Sequence, residues 1–140
     1  MNERLSDLVE SGWGDAHDLN CAETILRGAN RIYGLGLDSN ALRLASGFGG
    51  GRGIEAACGA LAGAVMVLGR LYTRERSHES PRLKQLCARF LQSYRERMGS
   101  IDCAPLKERY RTERLKCREV VLQAARLLEE LIAEQRGKEG

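Results

Sequence analysis

The sequence predicts an all-α fold, a compact bundle of about five helices. Apolar residues recur at intervals of three and four along most of the chain, which is the spacing of one face of an α-helix. No stretch alternates apolar and polar residues for long enough to form a sheet strand. At 140 residues, of which 43% are hydrophobic, the chain can bury one core without disulfides or a metal. We therefore expect residues 1–140 to form a single helical domain.

Glycines separate the first three predicted helices. The first spans about residues 16–33 and ends at Gly34. A short second helix, about residues 41–46, follows the capping candidates Asp38 and Ser39 and runs into segment 47–53, which contains five glycines in seven residues. The third helix, about residues 55–72, begins directly after this glycine-rich segment.

Proline and glycine also delimit the second half of the chain. The fourth helix covers residues 82–98, since Pro81 stands at its start and Gly99 at its end. A short helical piece ends near residue 110, and the last helix covers about residues 113–135. We expect residues 1–12 and 136–140 to be frayed.

Four of the five cysteines lie at or near the predicted helix starts. Cys21 is near the N-terminal end of its helix, Cys58 one turn into the third helix, and Cys103 where a short helix can begin. Cys117 lies in the first turns of the last helix. The dipole at a helix start favours a thiolate, so we expect lowered thiol pKa values and a ligand or nucleophile site.

The fifth cysteine, Cys87, lies in the middle of the fourth helix on the strongest apolar stripe. A free cysteine in such a place is typically a small buried hydrophobic residue. Its role otherwise stays open.

The residues alone leave three interpretations of the four thiols open: metal ligands, a redox dithiol and core packing. Intervals of 37, 45 and 14 residues contain no CxxC pair, so tertiary structure has to assemble any shared site. Four thiolates suit an iron-sulfur cluster or zinc, and backbone amides of Gly49, Gly50 and Gly51 could donate hydrogen bonds to inorganic sulfide. Alternatively, one cysteine pair could cycle between dithiol and disulfide.

Other functional classes have little support in the sequence. The net charge of +3 comes from interleaved basic and acidic residues, which is typical of solvated helix faces rather than of a nucleic-acid surface. No apolar run is long enough to span a bilayer, and the N-terminus has no signal-peptide pattern, so we expect a cytoplasmic protein. There is no independent catalytic motif, and whether the chain is an enzyme stays open. A redox partner protein is expected, and a homodimer stays open.

Five strings taken in order resemble a known family. They are Asn20-Cys21-Ala22-Glu23, Ser46-Gly47-Phe48-Gly49-Gly50-Gly51, Cys58-Gly59-Ala60-Leu61-Ala62-Gly63, Met98-Gly99-Ser100-Ile101-Asp102-Cys103, and Cys117 before Val120-Val121. Over residues 18–131 the chain resembles the small prokaryotic family of redox-active proteins labelled C_GCAxxG_C_C. The label places glycine before the second cysteine, whereas here Gly59 follows Cys58.

The resemblance implies a redox site at Cys21, Cys58, Cys103 and Cys117. The family is also similar to the iron-sulfur part of split-Soret cytochrome c, in which four cysteines are thought to hold a [2Fe-2S] cluster. The implied function is electron transfer through an iron-sulfur centre, with zinc or a metal-free dithiol as alternatives. No haem is expected, because the chain has no CxxCH string.

Overall fold

The computed structural model describes residues 3–139 and is all-helical over that range, which confirms the predicted fold class. Its α-helices are α1 (Leu5–Glu10), α2 (Trp13–Ala16), α3 (Cys21–Tyr33), α4 (Ser39–Leu42), α5 (Gly59–Tyr72), α6 (Arg82–Met98), α7 (Cys103–Tyr110) and α8 (Arg118–Glu139). Short helical turns cover Arg43–Phe48, Gly51–Glu55 and Ser77–Glu79. The described part of the chain thus has eight α-helices rather than about five, because several single-turn helices are too short to show a period in the sequence.

Helices α3 and α5 form the centre of the bundle, and α1, α6 and α8 pack around them. The two central helices approach closely at Gly63, where an added Cβ would lie 2.7 Å from the Ala22 carbonyl oxygen. Aliphatic side chains such as Ile25, Leu68 and Leu128 fill the core and are almost completely buried. This close packing fixes the N-terminal ends of α3 and α5 relative to each other.

Three predicted helix starts were too early. Helix α3 begins at Cys21, because the Asn20 side chain accepts a 2.9 Å hydrogen bond from the Glu23 amide while the Glu23 carboxylate accepts one from the Asn20 amide. Helix α5 begins at Gly59 rather than near Glu55, whose φ of 57° is left-handed. Helix α8 begins at Arg118, after a tight turn over residues 112–116.

Both terminal segments contain well-packed helix within the described residues, where the sequence predicts frayed ends; residues 3, 4, 11 and 12 lie outside the helices. Helix α1 lies within residues 1–12, and its Leu5 is fully buried. The Ser6 amide and hydroxyl each donate a 2.9 Å hydrogen bond to the Glu129 carboxylate on α8. Helix α8 continues to Glu139, which pairs with Arg82 at 2.7 Å. Residues 1, 2 and 140 lie outside the described range.

The helices between residues 3 and 139 differ from membrane-spanning helices. None of them combines the length and the apolar composition that crossing a membrane demands.

Candidate cysteine site

Four helix starts converge on one cavity. Cys21 is the first residue of α3 and Cys103 the first of α7, while Cys58 and Cys117 immediately precede α5 and α8. All four cysteines line a single cavity of about 300 Å³. Cys87 does not line it; its side chain is half-buried against the core on α6. Residues separated by up to 96 positions in the chain are thus brought together.

A short backbone pairing holds Cys58 and Cys103. The Cys58 amide donates to the Ile101 carbonyl at 3.0 Å, and the Cys103 amide donates to the Ala56 carbonyl at 2.6 Å. These bonds flank an antiparallel bridge between Ala57 and Asp102. The two buried thiols of the site therefore lie on adjacent, hydrogen-bonded backbone segments.

Glycine at position 59 allows Cys21 to approach the start of α5. A Cβ added at Gly59 would lie 2.6 Å from the Cys21 sulfur and would also collide with the Phe48 carbonyl oxygen. Ordinary contacts of a Cβ begin near 3.4 Å. The sulfur of Cys21 therefore packs directly on the backbone next to Cys58.

The glycine-rich segment forms part of the same region. Gly50 lines the cavity. A Cβ at Gly51 would lie 2.7 Å from the Cys103 Cβ, and one at Gly49 would lie 2.5 Å from the Asn20 side-chain nitrogen. Gly50 and Gly51 have φ values of 63° and 61°, which glycine adopts without strain. The segment thus lies between the Cys21 and Cys103 helix starts.

Comparison with known proteins bears on this cavity. A family model described as "Putative redox-active protein (C_GCAxxG_C_C)" matches residues 19–131, a range that contains all four cavity cysteines. The chain belongs to this family. The resemblance drawn from the sequence is confirmed, and the family description names redox activity without naming a cofactor. Comparisons with curated proteins and with solved structures find no match.

Burial dominates the acidity of three thiols in this C_GCAxxG_C_C protein. Burial, with smaller contributions from the nearby Cys21 and Cys103 thiols, raises the pKa of Cys58 to about 12, although the backbone amides of Ala60 and Leu61 act to lower it. Burial also raises the pKa of Cys103 and of Cys117, although Lys107 lowers the first and Arg111 the second. The expectation that helix starts would lower these pKa values is wrong for these three thiols, because desolvation outweighs the helix dipole.

Positive charge is concentrated around the cavity. Its lining includes the basic residues Lys107, Arg111, Lys116 and Arg118 and the acidic residues Asp15 and Asp18. Ion pairs neutralise part of this charge, namely Lys107 with Glu55 at 3.1 Å and Arg118 with Asp15 at 3.3 Å.

Other basic side chains around the cavity lack a carboxylate partner within the described residues. Within residues 3–139 neither Arg111 nor Lys116 forms an ion pair with a carboxylate. The buried Nε of Arg118 likewise has no hydrogen-bond partner in that range. Arg111 contacts the Cys117 thiol, and cationic side chains without a carboxylate partner suit an anionic occupant of the cavity.

Sequence reasoning missed these basic residues, although a signal for them exists. Residues 103–118 contain six basic and two acidic residues, a net charge of +4, whereas the whole chain carries +3. The interleaved pattern predicts solvated helix faces, whereas four of these basic residues line the cavity. Lys107 lies on α7 and Arg111 at its end, shortly after Cys103. The local excess of basic residues therefore indicates the charge at the cavity better than the alternation of basic and acidic residues does.

Backbone strain is also concentrated at the site. In the described range four residues other than glycine have left-handed φ values: Asp18 (57°), Arg52 (61°), Glu55 (57°) and Lys116 (53°). Each of them lies within six positions before a cavity cysteine. Such a conformation costs a residue with a side chain about 1–2 kcal/mol. Strain of this kind is typical of ligand sites, where the surrounding structure maintains it.

Proposed function

We propose that this cavity is the redox centre of the protein and that it binds a [2Fe-2S] cluster through Cys21, Cys58, Cys103 and Cys117. The observation that supports the proposal best is the convergence of four thiols from four helix starts on one cavity. A chain of this length does not need the thiols for stability, because its aliphatic core is already extensive.

The arrangement of donors favours a binuclear cluster over a single zinc ion. A structural zinc ion needs four ligands around one centre. Across residues 3–139, however, no three histidine, cysteine, aspartate or glutamate side chains are placed to hold one ion together. A [2Fe-2S] cluster shares its four thiolates between two irons, so no single centre has to gather three or four of them. The donor set therefore fits such a cluster in chemistry, and the cavity provides space for it.

A bound cluster of this type would supply one-electron transfer. The protein would contribute in three ways. Its four thiols would lose their protons to become ligands, and Arg111 and Lys116, which have no carboxylate partner within the described residues, would offset the resulting negative charge. Burial of Cys58 and Cys103 excludes water from one side of the site, while Cys21 and Cys117 remain half-buried and nearer to solvent.

A metal-free dithiol is the second candidate, favoured by the short distance between the Cys21 sulfur and the start of α5 beside Cys58. Thiol-disulfide exchange requires a thiolate as attacking group. Because burial raises the pKa of Cys58, Cys103 and Cys117, few of these thiols are ionised at neutral pH without a bound metal. Cys58 would therefore be a poor attacking group in this pair, which places the candidate after the cluster.

The deciding experiment is anaerobic purification followed by a visible spectrum and analysis of iron, sulfide and zinc. We expect visible charge-transfer absorption with equal amounts of iron and sulfide. Cys58→Ser should lose both, whereas the matched control Cys87→Ser, outside the cavity, should retain them. A colourless protein with one zinc ion per chain would show a structural zinc site instead of a cluster. A colourless, metal-free protein that loses two thiols on oxidation would establish the dithiol instead.

A further inference from the structure

Exposed apolar side chains lie beside the cysteine cavity. The large hydrophobic residues that are exposed in the described part of the chain are Leu44 (73%), Ile54 (79%) and Leu115 (40%). Leu115 directly precedes the cavity residues Lys116 and Cys117. Ile54 precedes Glu55, which pairs with the cavity residue Lys107. Two of the three exposed residues, Ile54 and Leu115, are thus linked to the edge of the cavity, and exposed apolar side chains beside a site are typical of a contact surface.

The same rim carries unbalanced positive charge. Arg111, Arg114 and Lys116 are exposed and, within residues 3–139, form no ion pair. Together with the acidic Glu113 they surround Leu115 on the turn that links α7 to α8, which leaves a net charge of +2 over residues 111–116. Outside residues 103–118 the chain is close to neutral, with a net charge of −1. An apolar patch within a one-sided charge field selects partners of the opposite charge and accelerates their association.

We infer that an acidic electron-transfer protein docks on this rim, the docking surface formed by Ile54, Arg111, Arg114, Leu115 and Lys116. The inference rests on the proposed redox function and adds the location and the chemistry of the partner. Docking there places the partner over Cys117, the half-buried thiol next to Lys116. Electron-transfer complexes are held by small interfaces, so a surface of a few side chains is sufficient.

Binding of a fluorescently labelled flavodoxin, a small acidic flavin carrier, tests the inference by fluorescence anisotropy with the whole chain. We expect the affinity to fall at least tenfold between about 20 mM and about 200 mM NaCl. Arg114→Glu should weaken binding about fivefold, Arg114→Gln about twofold, and Ile54→Ser about threefold. All replaced side chains are exposed, so the fold should persist.

Lys84→Glu is the matched control. Lys84 is exposed on the first turn of α6, where Arg82 stacks 4.6 Å from the ring centre of Tyr72 at the C-terminal end of α5. The length of α5, about 21 Å, separates that end from Cys58. This variant should bind flavodoxin as the wild type does.

Three results would overturn the docking surface: no binding at low salt, equal weakening by Arg114→Glu and Lys84→Glu, or a homodimer that Ile54→Ser dissociates in sedimentation velocity. The last would assign the surface to a second copy of the chain. Failure of the proposed function gives a different signature, because the wild-type protein would then lack cluster absorption whether or not it binds flavodoxin.

Discussion

Two glycines on α5 allow a matched test of the site geometry. Gly59 begins the helix beside Cys21, and Gly69 lies near its end with nothing within 4 Å of an added Cβ. Replacing Gly59 by alanine would put the new methyl group 2.6 Å from the Cys21 sulfur. The sulfur would have to retreat by about 0.8 Å to reach an ordinary contact near 3.4 Å.

The two substitutions should therefore change the free energy of unfolding in opposite directions. Gly69→Ala should raise the free energy of unfolding by about 0.5–1 kcal/mol, because alanine favours a helix interior over glycine. Gly59→Ala should lower it by about 2 kcal/mol, a typical cost of forcing a methyl group into a packed place. The expected difference of about 3 kcal/mol corresponds to roughly 10 °C in melting temperature.

Urea denaturation of both variants measures this difference, and iron analysis measures its effect on the site. Displacement of the Cys21 sulfur should also reduce cluster content in Gly59→Ala but leave Gly69→Ala fully loaded. Equal stability of the two variants would refute the close packing at the α5 start, where the new methyl group meets both the Cys21 sulfur and the Phe48 carbonyl oxygen. If Gly59→Ala lowers the stability but keeps its full iron content, the close packing is correct but cofactor binding does not depend on it.

Three further predictions concern stability. The buried Tyr94 hydroxyl donates to the Val120 carbonyl at 3.0 Å, and burial raises its pKa. Because only the unfolded state ionises this group above its ordinary pKa of about 10, stability should fall as the pH rises beyond that value, and less steeply in Tyr94→Phe. Ser6→Ala should cost about 1–2 kcal/mol in urea denaturation, since the Glu129 carboxylate loses a buried donor. Lys116→Gly should raise stability by about 0.5 kcal/mol by relieving a φ of 53°, and a loss in the same assay would contradict the assigned strain.

Local signals in the sequence predict some of these elements well. The predicted bounds of helix α6 agree with the observed ones, Arg82–Met98, because Pro81 favours a helix start and Gly99 a helix end. The capping role of Asp38 was likewise predictable, and its carboxylate accepts a 2.8 Å hydrogen bond from the Ala41 amide. In these cases the groups that begin or end the helix are neighbours in the chain.

Contacts from distant segments determine what the sequence could not predict. Residues 55–58 continue an apolar pattern, but the hydrogen bond from Cys58 to Ile101 holds the backbone extended and delays the start of α5. The bridge between Ala57 and Asp102 joins two of the cysteine segments, although 45 residues separate them. No local pattern encodes that pairing. The thiol pKa values could not be predicted for the same reason. Desolvation depends on the whole fold, whereas the helix dipole is a local effect.

Strain at Glu55 shows how the glycine-rich segment and the site depend on each other. The chain uses glycine for left-handed φ at Gly50, Gly51 and Gly53, so it could have used glycine at position 55 as well. Glutamate there costs about 1 kcal/mol of strain, but its carboxylate pairs with Lys107 at 3.1 Å and thereby ties the segment to α7 beside Cys103. The ion pair offsets the charge of Lys107 and holds its side chain beside the cavity, so the strained backbone helps to position a residue of the site. The conformation of Glu55 therefore follows from the needs of the site.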